Sequence, residues 1–444
     1  PAHRIGCVSR RLPAEPLHLS AAPGTLDQML ARIERRAPIS EIELGLERVR
    51  RVLDRLEPDL SATRVISVGG TNGKGSTVAF IEAIARRADR RVLALTSPHV
   101  VHFGERFRLN GESLSDRELR DALARVEDAR CDDSLTWFEH VTLAGFELAG
   151  RLRPDWLVAE VGMGGRLDAV NVLDADVAVI TSIGLDHQRW LGSTRSAIAR
   201  EKCGIARAAR PVVVGEKRRP KGMRHRLAEI EAEALLAGRD FNWRWRGEGV
   251  TLDLPDERLG PVTPGLAGRH QGGNAACAAL AVRRLEPDLP ARWLVDGIAR
   301  ASLIGRFQRL LRAPDVVVDV AHNPAAARKL GEQLRRLPGR NMAVFGVLGD
   351  KDVAGIVRAL APVFDRWFLV SVDGPRGLDA RSIRRRAPAV ADRCAPEALE
   401  SMTEALAAAR SACRPDDRVV VFGSFLTVSA AFDALGIRPG NAID

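Results

Sequence analysis

The run Val68-Gly69-Gly70-Thr71-Asn72-Gly73-Lys74-Gly75-Ser76-Thr77 concentrates glycine, lysine and hydroxyl residues in a form suited to holding phosphate. Glycines let the backbone curl until several N–H groups face one anion. The apolar stretch 64–68 ahead of it reads as a buried strand, and Val78-Ala79-Phe80-Ile81-Glu82-Ala83-Ile84 behind it reads as a helix. The helix N-terminus adds partial positive charge. Lys74 can then reach the outer phosphates of a nucleotide, and Ser76 or Thr77 can offer a hydroxyl to Mg²⁺. The loop departs from the common phosphate-loop spacing, with Val68 where the first glycine would be and Gly75 between the lysine and the hydroxyl. A plain strand–helix turn with a solvated lysine would leave this density of glycine unexplained.

Further chemistry-bearing residues recur at the ends of apolar runs. Glu160 closes the run 156–161 just ahead of Gly162-Met163-Gly164-Gly165. An unpaired acid on a buried strand is costly because its hydration is lost. A hard cation would offset that cost, which makes Glu160 a candidate Mg²⁺ ligand. Arg166 and Asp168, in the same loop, can contact a substrate. The run 177–183 ends in Gly184-Leu185-Asp186-His187, and His187 can complete the metal site. Lys202 sits near the end of a helix, where local chemistry marks it only as a dipole partner. In the second half, Asp319-Val320-Ala321-His322-Asn323-Pro324 closes another strand, and Gly349-Asp350-Lys351-Asp352 and Gly423-Ser424-Phe425 follow later ones. Each alone reads as turn chemistry. Together, all at strand ends, they favour one shared site between two domains.

The elements that must position these residues alternate along the chain. Strands are predicted at 64–68, 92–96, 156–161, 177–183 and 211–215, with helices at 116–128 and 138–151. Such alternation predicts a parallel sheet covered by helices on both faces. Residues 26–60 carry two helical patterns broken near Pro38, and residues 1–24 read as loose and polar. Stretch 217–268 is less regular, with a small β-excursion at 243–254, followed by an alanine-rich helix at 274–284. The pattern resets near Leu303-Ile304-Gly305-Arg306-Phe307, and strands follow at 316–320, 342–347, 367–372 and 418–422. The expected fold is α/β: an N-terminal phosphate-loop-type ATPase domain, 1–302, with a mainly parallel sheet, and a smaller Rossmann-like C-terminal domain, 303–444.

Composition narrows the function classes. A chain of 444 residues with 45% hydrophobic and 28% charged residues suits a soluble protein of two or three domains. No apolar run is long enough for a membrane span, and the first twenty residues lack a signal-peptide block, so the cytoplasm is the expected location. The six cysteines are scattered without a Cys-x-x-Cys pair, which favours buried thiols over a disulfide framework or zinc ribbon. A net charge of +10 raises nucleic acid as a partner. The arginines are dispersed, however, aromatic content is 5% and tyrosine is absent. Anionic small substrates explain the basicity as well, and nucleic acid is not the expected partner.

Taken together, these stretches resemble the folylpolyglutamate synthase and dihydrofolate synthase family within the Mur ligase superfamily. The resemblance runs from Glu43-Leu44-Gly45-Leu46 to Gly423-Ser424-Phe425 and rests on Gly70–Ser76, Thr96-Ser97-Pro98-His99, Glu105-Arg106-Phe107-Arg108, Phe138-Glu139, the loop from Glu160 to Asp168, Asp186-His187, Arg200-Glu201-Lys202, Gly305-Arg306-Phe307 and 319–324. It implies ATP-dependent amide-bond formation between L-glutamate and dihydropteroate or a reduced folate, on a monomer. It assigns Lys74 and the loop amides to the ATP phosphates, and Ser76, Glu160 and His187 to Mg²⁺. Lys202 would be carbamylated and bridge a second metal ion. Asn274, Arg306 and Asp319 match nucleotide positions, and His322 and Ser424 match positions near the incoming glutamate. Thr96, Ser97, Pro98, His99 and the loop through Asp168 match the pterin side. Val170 departs from the family's usual threonine. The competing readings are a Mur-type ligase acting on a nucleotide-linked wall precursor, and a nucleotide-binding regulatory protein without ligase chemistry.

Overall fold

The computed structural model describes residues 24–39, 41, 43–395, 399 and 401–438. The N-terminal stretch read as loose lies outside these residues, except for Gly24, as does Cys7.

Eight strands form the larger sheet: β1 (Arg64–Gly69), β2 (Val92–Leu95), β3 (Phe107–Leu109), β4 (Glu112–Ser113), β5 (Trp156–Glu160), β6 (Val177–Ile180), β7 (Pro211–Val214) and β8 (Glu233–Leu236). Their order is β4-β3-β2-β5-β1-β6-β7-β8. Pairing from β2 through β8 is parallel, and β3 and β4 add an antiparallel edge. The central strands β2, β5, β1, β6 and β7 are mostly apolar runs because both faces are covered. On one face Ile66, Val68, Val158 and Val179 pack with the helices Lys74–Arg87 and Gln271–Leu285. On the other, Leu93, Leu157 and Ile180 pack with residues of Asp116–Arg130, Trp137–Leu152 and Arg195–Cys203.

The irregular stretch resolves into an antiparallel sheet of β9 (Asn242–Arg246), β10 (Gly249–Asp253) and β11 (Arg258–Val262). The second unit is a five-stranded sheet of β12 (Gln308–Leu311), β13 (Asp315–Asp319), β14 (Asn341–Phe345), β15 (Arg366–Leu369) and β16 (Arg418–Phe422), in the order β12-β13-β16-β14-β15. Only β12 runs antiparallel to its neighbour in that sheet. Each face of this sheet also carries its own buried cluster.

Two boundaries differ from the sequence reading in ways that matter. The first helix of the phosphate loop begins at Lys74, not at the apolar run from 78, so Lys74 to Thr77 form its first turn. Strand β6 stops at Ile180, not 183, because Thr181 and Ser182 turn away to bond the loop. The strands β3, β4, β8 and β12 were not expected. They are short or lie at sheet edges, where the apolar signal is weak. Cys203 and Cys277 are buried as expected, but Cys131 is exposed.

Candidate active site

Register brings the first-unit candidates together. Gly69 pairs with Ile180, and Val68 pairs with Glu160, so the carboxyl ends of β1, β5 and β6 lie side by side. Ligands of open α/β sheets sit in the crevice beyond such ends. The loop is held from beneath: Ser182 O accepts from Thr71 N at 2.8 Å, and the hydroxyls of Thr181 and Ser182 donate to Asn72 O at 2.7 and 2.9 Å. Gly70 and Gly73 have φ of +145° and +91°. At Gly73 a Cβ would also stand 2.5 Å from Asn274 Oδ1, so both conformation and space require glycine there.

Lys74 Nζ lies 3.9 Å from Glu160 Oε1, and the other carboxylate oxygen of Glu160 accepts from Ser97 N at 3.2 Å. Burial pushes the Glu160 carboxyl up, against the opposing charge of Lys74. Ser76 is buried, with its hydroxyl 3.4 Å from Gln271 Nε2, and Gln271 in turn accepts from Asn274 Nδ2 at 2.8 Å. Lys202 is buried and donates to Gly70 O at 2.8 Å. Burial and the charge of Lys74 bring its amine down to about 7. His187 sits at φ +51°, and burial holds its imidazole down at about 4, leaving it neutral at pH 7.

The second unit closes over this wall. Asp319 ends β13 beside Phe422 of β16, and its carboxylate accepts from Phe307 N and Ala321 N at 3.0 and 2.9 Å. Burial raises the Asp319 carboxyl and lowers the Arg306 guanidinium, while their mutual attraction opposes both shifts. A methyl placed on Gly75 would meet Arg306 Nη2 at 3.6 Å and Glu160 Oε2 at 3.5 Å, so an arginine of the second unit reaches the start of the loop helix. His322 Nδ1 is 2.9 Å from Val320 O. Ser424 caps the helix Phe425–Leu435 through Thr427 N at 3.0 Å.

One cavity of about 1060 Å³ unites these groups. Its lining includes Gly70 through Ser76, Ser97, Pro98, His99, Glu160, His187, Lys202, Asn274, Arg306, Asp319, His322 and Ser424. Four sequence candidates lie outside that lining. The Thr77 hydroxyl donates to Gly73 O at 2.9 Å within its own helix turn. Thr96 Oγ1 donates to Glu105 O at 3.0 Å. Arg166 pairs with Glu201 at 3.1 Å. Asp168 accepts from Met163 N and Val170 N at 2.7 and 3.1 Å, and burial pushes it up to about 6 against those bonds.

Sequence reasoning gave Arg106 and Gln271 no individual role and placed Asn323 and Lys351 only within stretches expected at the shared site; all four lie in or beside the cavity. Arg106 is buried, donates to His99 Nδ1 at 2.8 Å and lies over the rings of Trp137 and Phe103 at 4.8 and 5.9 Å. Its place in Glu105-Arg106-Phe107-Arg108 was visible, but its cavity position was not.

The donor set suits a hard divalent cation. Glu160 supplies a buried carboxylate, Ser76 a hydroxyl, and His187 a neutral imidazole. Among the described residues, no three His, Cys, Asp or Glu side chains form a metal nest of their own. A cation here would therefore share its shell with phosphate oxygens, as Mg²⁺ does in nucleotide sites.

The phosphate-loop sheet and the smaller α/β unit that faces it across the cavity correspond to the two domains of a Mur-type ligase. The Mur ligase middle domain matches residues 68–282, and the Mur ligase glutamate ligase domain matches residues 305–425. The dihydrofolate synthase/folylpolyglutamate synthase of Escherichia coli is 39% identical over 411 residues, 89% of this chain and 92% of that one. Its counterpart in Haemophilus influenzae is 34% identical, covering 92% and 97%. The structure of E. coli FolC in complex with DHPP and ADP superposes with a TM-score of 0.88 at 37% identity, covering 93% of this chain and 98% of that one. The bifunctional enzyme of Yersinia pestis complexed with AMPPNP and Mn gives 0.86 at 37% identity, covering 94% and 99%. The chain belongs to the dihydrofolate synthase/folylpolyglutamate synthase family and is an ATP-dependent carboxylate–amine ligase.

Proposed function

We propose that this ligase joins L-glutamate to dihydropteroate, giving dihydrofolate, and to the γ-carboxylate of folates. The observation that carries the reading is the single cavity in which Lys74 and Glu160 of the first unit face Arg306, Asp319 and His322 of the second. The names of the relatives support both activities, as do the DHPP and ADP bound to E. coli FolC and the Mn, AMPPNP and L-glutamate bound to a further bifunctional homologue.

The substrate carboxylate attacks the γ-phosphorus of ATP, ADP leaves, and an acyl phosphate forms. The amine of L-glutamate then attacks the acyl carbon, a proton is lost, and phosphate departs as the amide forms. Phosphoryl transfer of this kind needs positioning and charge stabilisation more than a protein nucleophile. Lys74 and the amides of Gly70 to Thr77 hold the phosphates, while Asn274, Arg306 and Asp319 hold the nucleotide from the far wall. Mg²⁺, held by Ser76, Glu160 and His187, would supply neutralisation of phosphoryl charge. Lys202, once carbamylated, would hold a second ion. Thr96, Ser97, Pro98 and His99 form the pterin side, with Arg166 and Asp168 bracing its loop. His322 and Ser424 receive the glutamate. Because the Val320 carbonyl can only accept, His322 Nδ1 carries its hydrogen, and Nε2 is the nitrogen able to take the amine's proton.

The domain division that goes with this reading is 1–302 and 303–444. A cytoplasmic monomer acting on small molecules, without nucleic acid or membrane, is its setting. Among the described residues, no helix is long and apolar enough to cross a membrane. The test is ADP release with Mg²⁺, ATP and L-glutamate, comparing dihydropteroate with tetrahydrofolate. Release with both is expected. Release with one would restrict the enzyme to that branch, and silence with both from folded, ATP-binding protein would favour a wall-precursor ligase.

A further inference from the structure

Asp186 lies just past the carboxyl end of β6, on the first unit, yet its close cationic partner belongs to the second. Its Oδ1 accepts from Lys351 Nζ at 3.0 Å. Its Oδ2 stands 3.4 Å from Asn323 Nδ2 and 3.7 Å from His322 Nε2. The side chains of Asp186 and Lys351 are only 12% and 7% exposed, so the ion pair is largely out of water. Asn323 is buried too. Its amide pairs with that of Asn72 in the phosphate loop at 2.9 and 3.3 Å, and its Oδ1 also caps the helix Pro324–Leu334 through Ala326 N at 2.9 Å.

A carboxylate taken this far from water is tolerated when charge and hydrogen bonds compensate it. For Asp186 that compensation comes from Lys351 and Asn323. Moving the units apart would strip the carboxylate of these partners and break the Asn72–Asn323 pair at the same time. The arrangement therefore depends on how the units are docked.

We propose that Asp186 is a positioning residue that docks the second unit onto the phosphate loop through Lys351 and Asn323, and thereby sets the place of His322. Removing the charge of either partner undoes the same contact. The kinetic consequence rests on the ligase reading above; the docking itself does not.

The experiment is a double-mutant cycle with the near-isosteric variants Asp186→Asn and Lys351→Met, each checked for a cooperative melt. Each single change is expected to lower kcat/KM for L-glutamate about tenfold, and the double variant by about the same factor, because one contact is lost in all three. Lys351→Arg, which keeps a cation against the carboxylate, is expected to retain more activity than Lys351→Met. Losses that multiply to about a hundredfold in the double variant would overturn the proposal, as would an Asp186→Asn enzyme with unchanged kcat/KM. If the unsubstituted chain released no ADP, the ligase reading would fail instead. The cycle would then be read by X-ray scattering of the ligand-free chain: equal expansion in all three variants supports the docking role, and unchanged profiles overturn it.

Discussion

Lys202 Nζ donates a 2.8 Å hydrogen bond to the carbonyl of Gly70, tying the helix Arg195–Cys203 to the phosphate loop from across 132 residues of sequence. The bond fixes an amine beneath the loop while leaving it on the cavity wall. Burial and Lys74 hold that amine at about 7, so a large neutral fraction is present near pH 7. The neutral amine is the form that adds to CO2. Protein equilibrated with ¹³C-bicarbonate should therefore show a carbamate carbon resonance that Lys202→Met lacks. An identical spectrum from the variant would remove Lys202 as the modified residue.

Lys74 stands in the first turn of its helix and faces Glu160, with no part in the apolar core. Lys74→Ala should reduce kcat by about 100-fold or more, the scale seen when a single charge-stabilising donor is lost. Its thermal melt should stay close to that of the parent. Single-turnover ADP release measures the first and calorimetry the second. Near-parental turnover would displace the lysine from the phosphates.

The Glu160 carboxylate costs stability in the ligand-free protein because burial disfavours its charge. Glu160→Gln should melt no lower than the parent yet need a higher Mg²⁺ concentration for half-maximal rate, or lose activity. Chelation with EDTA should stop the parent enzyme, with Mg²⁺ restoring it. A Mg²⁺ titration that overlays the parent's would take Glu160 out of the metal site.

Away from the site, Glu127 binds Arg36 and Arg130 at 2.5 and 2.9 Å. Burial pushes its carboxyl up, but the hydrogen bonds and charges of those arginines outweigh it and hold it at about 2. Its folded pKa thus lies below the unfolded value, and the unfolded chain binds the extra proton between the two. The stabilisation is present above about pH 4.5 and fades as pH falls towards 2. Glu127→Gln should lower stability at pH 7 by about 1–2 kcal/mol, allowing for solvent screening. The gap should shrink through that acid range, as followed by urea titration at stepped pH.

Much of this architecture was readable from local signals. The strand–loop–helix at Gly70 to Ser76 announced itself because glycine conformation and apolar periodicity act over a few residues. The acid at Glu160 stood out because it ends an otherwise apolar strand. The edge strands β4 and β12, and the three-residue β3 beside β4, gave no such signal, since a short element at or next to an edge need not be apolar on both faces. The early end of β6 was hidden for a related reason. Thr181 and Ser182 suit a strand by composition, and only the nearby Asn72 carbonyl draws their hydroxyls out of it.

The sequence by itself determined the α/β alternation, the phosphate loop and the strand ends where polar groups gather, because backbone conformation and burial of apolar runs are local and periodic. The tertiary structure decided which of those ends meet. Nothing near Lys202 points to Gly70, nothing near Asn323 points to Asn72, 251 residues away, and nothing near Asp186 points to Lys351. Those contacts follow from strand order and from the docking of two units, which are set by packing over the whole chain. A polar side chain carries no local record of a partner it acquires only when the sheets assemble.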